Sequence, residues 1–419
     1  MSARAVVLTG RGVVSPLGVG AGQYWEGLRA GRAAVGPMAR LASLGLPASR
    51  GAEIAPDLLA PHLGRLPRKQ QKLYNRATLL AMLAGALAME EAGLGPGAGD
   101  PERLGVVLGV NVLSWDLASM AQYLAAAESP EAAGRLDMAS ANAFCMHQIN
   151  PLDYSLKTLP NLAAGHLAIA HEARGACRAL LEGPVGGARA IGQAAHMIAE
   201  GALDVALCGG TDAPLEGLIF ASYWGSGLLA SDAGDQAGFV AGEGSGLLVL
   251  EAAERARERG AAIHGEILGS AAAAGDGQLT PAADPEALGR RLARVIEEVL
   301  AEAGGMPDLI ALHADGAPAH DDAEERALAA VFGPDAGGPR RLRFKRAHGD
   351  LGAASSPVEL LGCSLAIEYG MLPAGVANGD GGGPGSPERA LILSLGFFGE
   401  CAAVMLGKPS RPAEGERAG

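Results

Sequence analysis

Aromatic side chains make up only 4% of this 419-residue chain, so its interior is packed from Ala, Gly and Leu rather than from large rings. Apolar residues still reach 49%, ample for a globular core. Positive charge is in deficit: 33 Lys and Arg against 46 Asp and Glu leave a formal net charge of -13. A phosphate backbone demands concentrated positive charge, which excludes nucleic acid as the main partner. No apolar run reaches the roughly 18 to 20 residues that span a bilayer, and the opening MSARAVVLTGRG lacks the apolar stretch of a signal peptide. A cytoplasmic protein without membrane contact is expected. The five cysteines, Cys145, Cys177, Cys208, Cys363 and Cys401, are odd in number, scattered and without metal-ligand spacing. They read mostly as small buried core residues, and neither metal nor cofactor is expected.

At this length the sensible expectations are one large layered unit or two structural halves. Apolar β-type runs bounded by glycine alternate with helical patterns throughout, which predicts an α/β layered fold. Strands are expected at 5–8, 104–110, 203–208, 247–251, 263–268, 309–312, 390–394 and 402–406. Helices are expected at 24–29, 69–92, 285–303, 321–332 and 357–369. The alternation restarts near Ile263, as though one α/β unit were written twice, over 1–252 and 253–407, with a polar tail at 408–419. The halves share no literal sequence repeat.

The stretch from Ala173 to Gly210 reads as strand, glycine turn, amphipathic helix and second strand. Such a corner commonly presents a nucleophile at the helix N-terminus, where the dipole stabilises an anion. Here the corner is Gly183-Pro184-Val185-Gly186-Gly187, with no Ser, Cys or Thr on it.

Three signatures stand in order along the chain: Gly12-Val13-Val14-Ser15-Pro16-Leu17-Gly18, the glycine run from Gly238 to Gly246 with the strand after it, and Gly396-Phe397-Phe398-Gly399. Together they resemble the β-ketoacyl synthases of the thiolase-like superfamily, over about 6–406. The resemblance implies a thiolase-like fold, two fused α/β halves in an α-β-α-β-α arrangement that dimerises through the first half. It also implies a chemistry. A cysteine at a helix N-terminus takes an acyl chain from an acyl carrier protein, and two histidines help decarboxylate malonyl-carrier and stabilise the enolate and oxyanion. That requires a low-pKa thiolate and donors aimed at a thioester oxygen.

The family's nucleophile lies nine residues after the glycine opening the preceding strand and seven before an Ile-Gly pair; from Gly175 and from Ile191-Gly192, both counts land on Pro184. Proline removes the thiol and one backbone donor of the oxyanion hole. Cys177, inside the predicted strand, reads as inert buried core rather than as a substitute. The first family histidine corresponds to His313 in His313-Ala314-Asp315-Gly316-Ala317-Pro318-Ala319-His320-Asp321-Asp322-Ala323-Glu324, where Asp315, Gly316 and Ala317 replace the usual hydroxyl run. His313 is a catalytic candidate or a structural remnant. The second histidine position, five after Lys345 and one after Gly349, holds Asp350. A carboxylate there cannot donate to an oxyanion. Lys345 and Glu324 match structural positions and read as a buried ion pair. Phe397 matches the gating and oxyanion loop, with core filling as the alternative.

One subgroup of the family resembles this pattern of loss: the chain-length factors, or ketosynthase β subunits, of type II polyketide systems, which pair with an active synthase and shape its tunnel. That subgroup commonly carries glutamine at the cysteine position and often lacks the histidine retained here at His313. The expectation is a silent subunit, not catalytic alone, in a heterodimer with a cysteine-bearing ketosynthase and served by an acyl carrier protein. The alternative is a cysteine-free malonyl-carrier decarboxylase or condensing enzyme using His313. Trp115, flanked by Leu113 and Leu117, is a chain-length gate candidate, or plain core. Arg65, Arg68, Lys69 and Lys72 form a basic cluster suited to steering the acidic carrier, or an ordinary solvated helix start.

Overall fold

The computed structural model describes residues 4–111, 117–129, 131–148, 157–276, 284–333, 338–377 and 386–409. In chain order the main strands are β1 (Val6–Ser15), β2 (Leu104–Val110), β3 (Cys177–Leu180), β4 (Val205–Asp212), β5 (Gly244–Ala252), β6 (Gly265–Ala273), β7 (Leu309–Ala311), β8 (Arg340–Leu342), β9 (Arg389–Leu395) and β10 (Cys401–Gly407). The principal helices are α1 (Ala21–Arg29), α2 (Arg76–Glu91), α3 (Leu117–Ala127), α4 (Met138–Gln148), α5 (Asn161–Ala170), α6 (Gly186–Ala199), α7 (Gly217–Gly225), α8 (Ala253–Glu258), α9 (Pro285–Ala303), α10 (Pro318–Phe332) and α11 (Ser355–Tyr369).

The strands run across one sheet in the order β8-β7-β9-β10-β6-β1-β5-β4-β2-β3. Cut between β6 and β1, this is a single order used twice. The series β1-β5-β4-β2-β3 recurs as β6-β10-β9-β7-β8, and in each the first three strands are antiparallel and the last three parallel. The halves join where β1 pairs β6 antiparallel, Val6 opposite Ile267 and Leu8 opposite Gly265. The duplication lies in topology and hydropathy alternation, which is why no residue-by-residue repeat exposes it.

Helices α6 and α11 pack against each other and against strands of both halves, so they form the middle layer. On the outer faces, α2 and α5 cover the first half-sheet, and α9 with α10 beside it covers the second. The sequence explains this division. In α11 every residue from Ser355 to Ile367 is buried, the mark of a helix enclosed on all sides. By contrast α9 buries one face, Leu288, Leu292, Val295, Ile296 and Val299. It starts at the Asp284 cap and stops at Gly304, in the left-handed conformation.

Two boundaries differ from expectation for physical reasons. The helix expected over 69–92 is broken into a single turn, Arg68–Gln71, and α2, because Asn75 Oδ1 accepts the Thr78 N–H at 2.8 Å and starts a new helix. Strand β1, expected to end at Leu8, continues through Thr9-Gly10-Arg11-Gly12 to Ser15. A Cβ on Gly10 would lie 2.1 Å from the Ala88 carbonyl oxygen, and one on Gly12 would lie 1.8 Å from that of Ala84. These glycines let α2 press directly on the strand. Among the described residues, no helix is long and apolar enough to cross a membrane.

Candidate functional site

The elbow forms where expected. Strand β3 leads into a 3-10 turn, Gly183–Val185, whose Gly183 has φ 56°, and α6 follows directly. Pro184 is buried, and its carbonyl oxygen accepts a hydrogen bond from Ser394 Oγ at 3.0 Å. Gly187 permits the tight seat of α6, since a Cβ there would lie 2.1 Å from the Ala353 oxygen. Phe397 sits beside Gly183, stacked on Phe239 (centroids 5.7 Å, 11°) and edge-on to Tyr223 (5.5 Å, 64°). Its ring therefore closes the wall next to Pro184. The Tyr223 hydroxyl accepts from Asn111 Nδ2 at 2.7 Å.

The facing wall is charged. Asp350 sits on a turn that pairs with Ala241, and its Oδ1 accepts the Gly352 N–H at 2.7 Å. The Gly352–Ala354 turn, which follows Asp350, packs on the elbow turn. Burial pushes the Asp212 carboxyl up to about 7; Asn111 opposes the rise and Asp350 adds to it. At the positions that the resemblance assigns to a thiol and a second imidazole, the chain carries Pro184, a ring without an N–H donor, and Asp350, a carboxylate.

Lys345 is where the sequence places it, but its partner is different. Its Nζ lies 3.0 Å from Glu359 Oε1 and 3.9 Å from Asp350 Oδ2, and contacts His313 Nδ1 at 3.4 Å. Glu324, expected as its ion-pair partner, instead accepts the backbone N–H groups of His313 at 2.6 Å and Ala314 at 3.1 Å. The loop after β7 turns too sharply to bond its own amides, and Glu324 satisfies them from α10. Burial opposes the Lys345 charge, yet Glu359 and Asp350 outweigh it and raise its pKa.

His313 is buried with its Nε2 3.2 Å from Asp315 Oδ2, and the same oxygen lies 2.8 Å from His320 Nδ1. Burial and then Lys345 lower the His313 pKa. At His320 burial also works against charge, but the hydrogen bond to Asp315 prevails and raises the pKa. Asp315 replaces a hydroxyl position, and sequence reasoning treated it as a loss; the His-x-Asp-x4-His spacing was the available signal. His348 points away from the site, its Nδ1 bonded to the Gly349 carbonyl oxygen at 2.8 Å and its ring stacked over Phe344.

Cys177 is exposed rather than buried, because β3 is the sheet's last strand and, among the described residues, has no neighbour on its outer side. Burial pushes up the thiols of Cys208, Cys363 and Cys401. No cysteine among the described residues stands at the elbow. Arg65, Arg68, Lys69 and Lys72 lie on the exposed stretch before α2, where Arg65 pairs with Glu90. Leu113 and Trp115 lie outside the described residues, and Leu117 opens α3.

The family description "Beta-ketoacyl synthase, N-terminal domain" matches residues 3–256, and "Beta-ketoacyl synthase, C-terminal domain" matches residues 264–377. The chain belongs to the β-ketoacyl synthase family. Nodulation protein E of Rhizobium sp. (strain N33) is 32% identical over 380 residues, 88% of each chain. The tetracenomycin polyketide synthase ketoacyl synthase beta subunit of Streptomyces glaucescens is 31% identical over 411 residues, 94% of this chain and 92% of that one. Among solved structures, the ishigamide ketosynthase/chain length factor superposes with a TM-score of 0.79 at 27% identity, covering 97% of this chain and 100% of that one. The fold is the thiolase-like ketosynthase fold of these relatives.

Proposed function

We propose that this chain is a catalytically silent ketosynthase-like subunit of chain-length-factor type. It pairs with a cysteine-bearing β-ketoacyl synthase and shapes the acyl tunnel in a type II polyketide or fatty-acid-like system. Pro184 carries the reading: a buried ring without thiol or N–H occupies the helix entrance, its carbonyl tied to Ser394. Asp350 supports it, because a carboxylate facing a developing oxyanion opposes acyl transfer.

The exposed features of the first half support a partner. Strand β3 ends the sheet with Cys177 exposed, and Leu181 just beyond it is exposed as well. The α3–α4 arm presents Leu124, Leu136, Met138 and Met146 on its surface. Exposed apolar side chains and an open sheet edge are each the character of a protein interface. Co-expression with a cysteine-bearing ketosynthase, followed by complex mass and product analysis, tests the reading. The expected result is a heterodimer whose products change when this chain is omitted; a stable homodimer with unchanged products overturns it. Pro184→Cys alone gives no condensation while Asp350 remains, and robust condensation from that single change contradicts the reading of Asp350.

The second reading, decarboxylation of malonyl-carrier by His313, draws on the lysine contact at its Nδ1. Carbon dioxide release by the pure chain, abolished in His313→Ala, would select it.

A further inference from the structure

Two imidazoles and a carboxylate converge on one oxygen in the loop between β7 and α10. Asp315 Oδ2 lies 3.2 Å from His313 Nε2 and 2.8 Å from His320 Nδ1, and the three donor atoms are within 4.8 Å of one another. All three residues are buried. The geometry points to a binding site for one zinc-class divalent ion, held by His313 Nε2, Asp315 Oδ2 and His320 Nδ1, with a fourth position left for solvent or a ligand.

The loop backbone is bent to bring these groups together. Ala314 has φ 36° and Gly316 has φ 91°, and the strained alanine is held by the two N–H bonds to Glu324. Backbone strain at a non-glycine residue persists only where surrounding contacts over-determine it. Asp315 Oδ1 is engaged by the Ala317 N–H at 2.9 Å, which fixes the carboxylate and leaves Oδ2 facing both rings. An outer hydrogen bond of this kind orients a ligating carboxylate.

The donor set selects the ion. Imidazole nitrogen with carboxylate oxygen suits zinc and its borderline neighbours, whereas magnesium and calcium call for oxygen ligands throughout. Ligand bonds of about 2.0–2.2 Å in a tetrahedron set donor atoms about 3.3–3.6 Å apart, so the two short separations need to widen by less than about 1 Å. The neighbouring charge permits a cation: the Lys345 ammonium faces Glu359 at 3.0 Å and Asp350 at 3.9 Å, and the Asp315 carboxylate, which now faces the His313 and His320 rings, supplies the negative charge that a bound ion would meet. On loading, the Nε2–H and Nδ1–H protons leave the ligating nitrogens. His313 then carries its proton on Nδ1, and Lys345 turns fully to Glu359.

The test uses the tag-free full-length chain alone, so its result is separate from that of the partner experiment. After treatment with chelator and dialysis against zinc, metal content by mass spectrometry is expected at one zinc per chain. Cobalt(II) substitution is expected to give the intense visible absorption of a four-coordinate site. His320→Asn and Asp315→Asn each weaken zinc binding at least tenfold, while His196→Ala, on the exposed face of α6, leaves it unchanged. Melting of the metal-free variants confirms that they fold. A folded wild-type chain without zinc or the cobalt spectrum, or binding indifferent to His320→Asn and Asp315→Asn, overturns the site and leaves a hydrogen-bonded His–Asp–His network.

Discussion

Replacing Lys345 by methionine keeps the length of the side chain and removes the buried ammonium that faces Glu359, Asp350 and His313. Glu359 is then left at 0% exposure with Asp350 nearby and its Oε2 without a hydrogen-bond partner. Breaking one partner out of a buried pair costs about 3–5 kcal/mol, a large share of the roughly 5–15 kcal/mol that holds a folded protein together. The loss depends on pH. Burial already pushes Glu359 up to about 7 from an ordinary 4.5, with Lys345 opposing the rise. Between those values the folded state keeps a proton that the unfolded chain has lost, so stability falls as pH rises. Lys345→Met raises the folded value further and extends that fall, so the variant loses more at pH 8 than at pH 5. Urea denaturation at both pH values, on Lys345→Met alone and combined with Glu359→Gln or Glu324→Gln, separates the two candidate partners. Glu359→Gln is expected to recover at least half of the loss, while Glu324→Gln adds a further cost by weakening its bonds to His313 and Ala314. Recovery with Glu324→Gln but not with Glu359→Gln would refute the assignment.

Asp204 is bound by Arg103 at 2.7 Å and Arg4 at 2.8 Å, and its pKa is lowered to about 2, first by the Arg103 hydrogen bond. Partly exposed as it is, it contributes about 1 kcal/mol that is present above the ordinary 3.8 and lost as pH falls towards 2. Acid titration of wild type and Asp204→Asn should therefore converge at the acid end; a constant gap contradicts the linkage. Gly187→Ala places a Cβ 2.1 Å from the Ala353 oxygen and 2.7 Å from the Pro357 ring, forcing the elbow and the 352–357 segment apart. A loss of about 3 kcal/mol or more is expected in thermal melts, and an unshifted melt would show that α6 can slide. Maleimide should label Cys177 rapidly in the isolated chain while Cys208 and Cys363 wait for unfolding, and partner binding should protect it. Equal labelling with and without the partner argues against docking along β3.

Much of the architecture was legible because hydropathy period and glycine placement are local properties. The alternation across 104–110, 285–303 and 309–312 identifies strand and helix wherever one face or both must be buried. The glycine elbow at Gly183–Gly187 was also legible: fixed spacings from Gly175 and Ile191-Gly192 both reach Pro184, and the structure turns there from strand into helix. Composition likewise gave the sign of the net charge, and among the described residues no helix is long and apolar enough to cross a membrane.

Pairings across the fold were not legible. Whether Lys345 meets Glu324 or Glu359 depends on the packing of α11 against the loop after β7, and both glutamates lie at acceptable distances in sequence. The exposure of Cys177 depends on β3 being last in a sheet whose order departs from chain order. The sequence could place Asp315 beside His313, but only the left-handed turn at Ala314 and Gly316 folds that carboxylate back between two imidazoles. Local periodicity and spacing thus determined the elements and the position of the elbow, while the tertiary structure decided which charges face one another, because side-chain partners are chosen by three-dimensional packing rather than by separation along the chain.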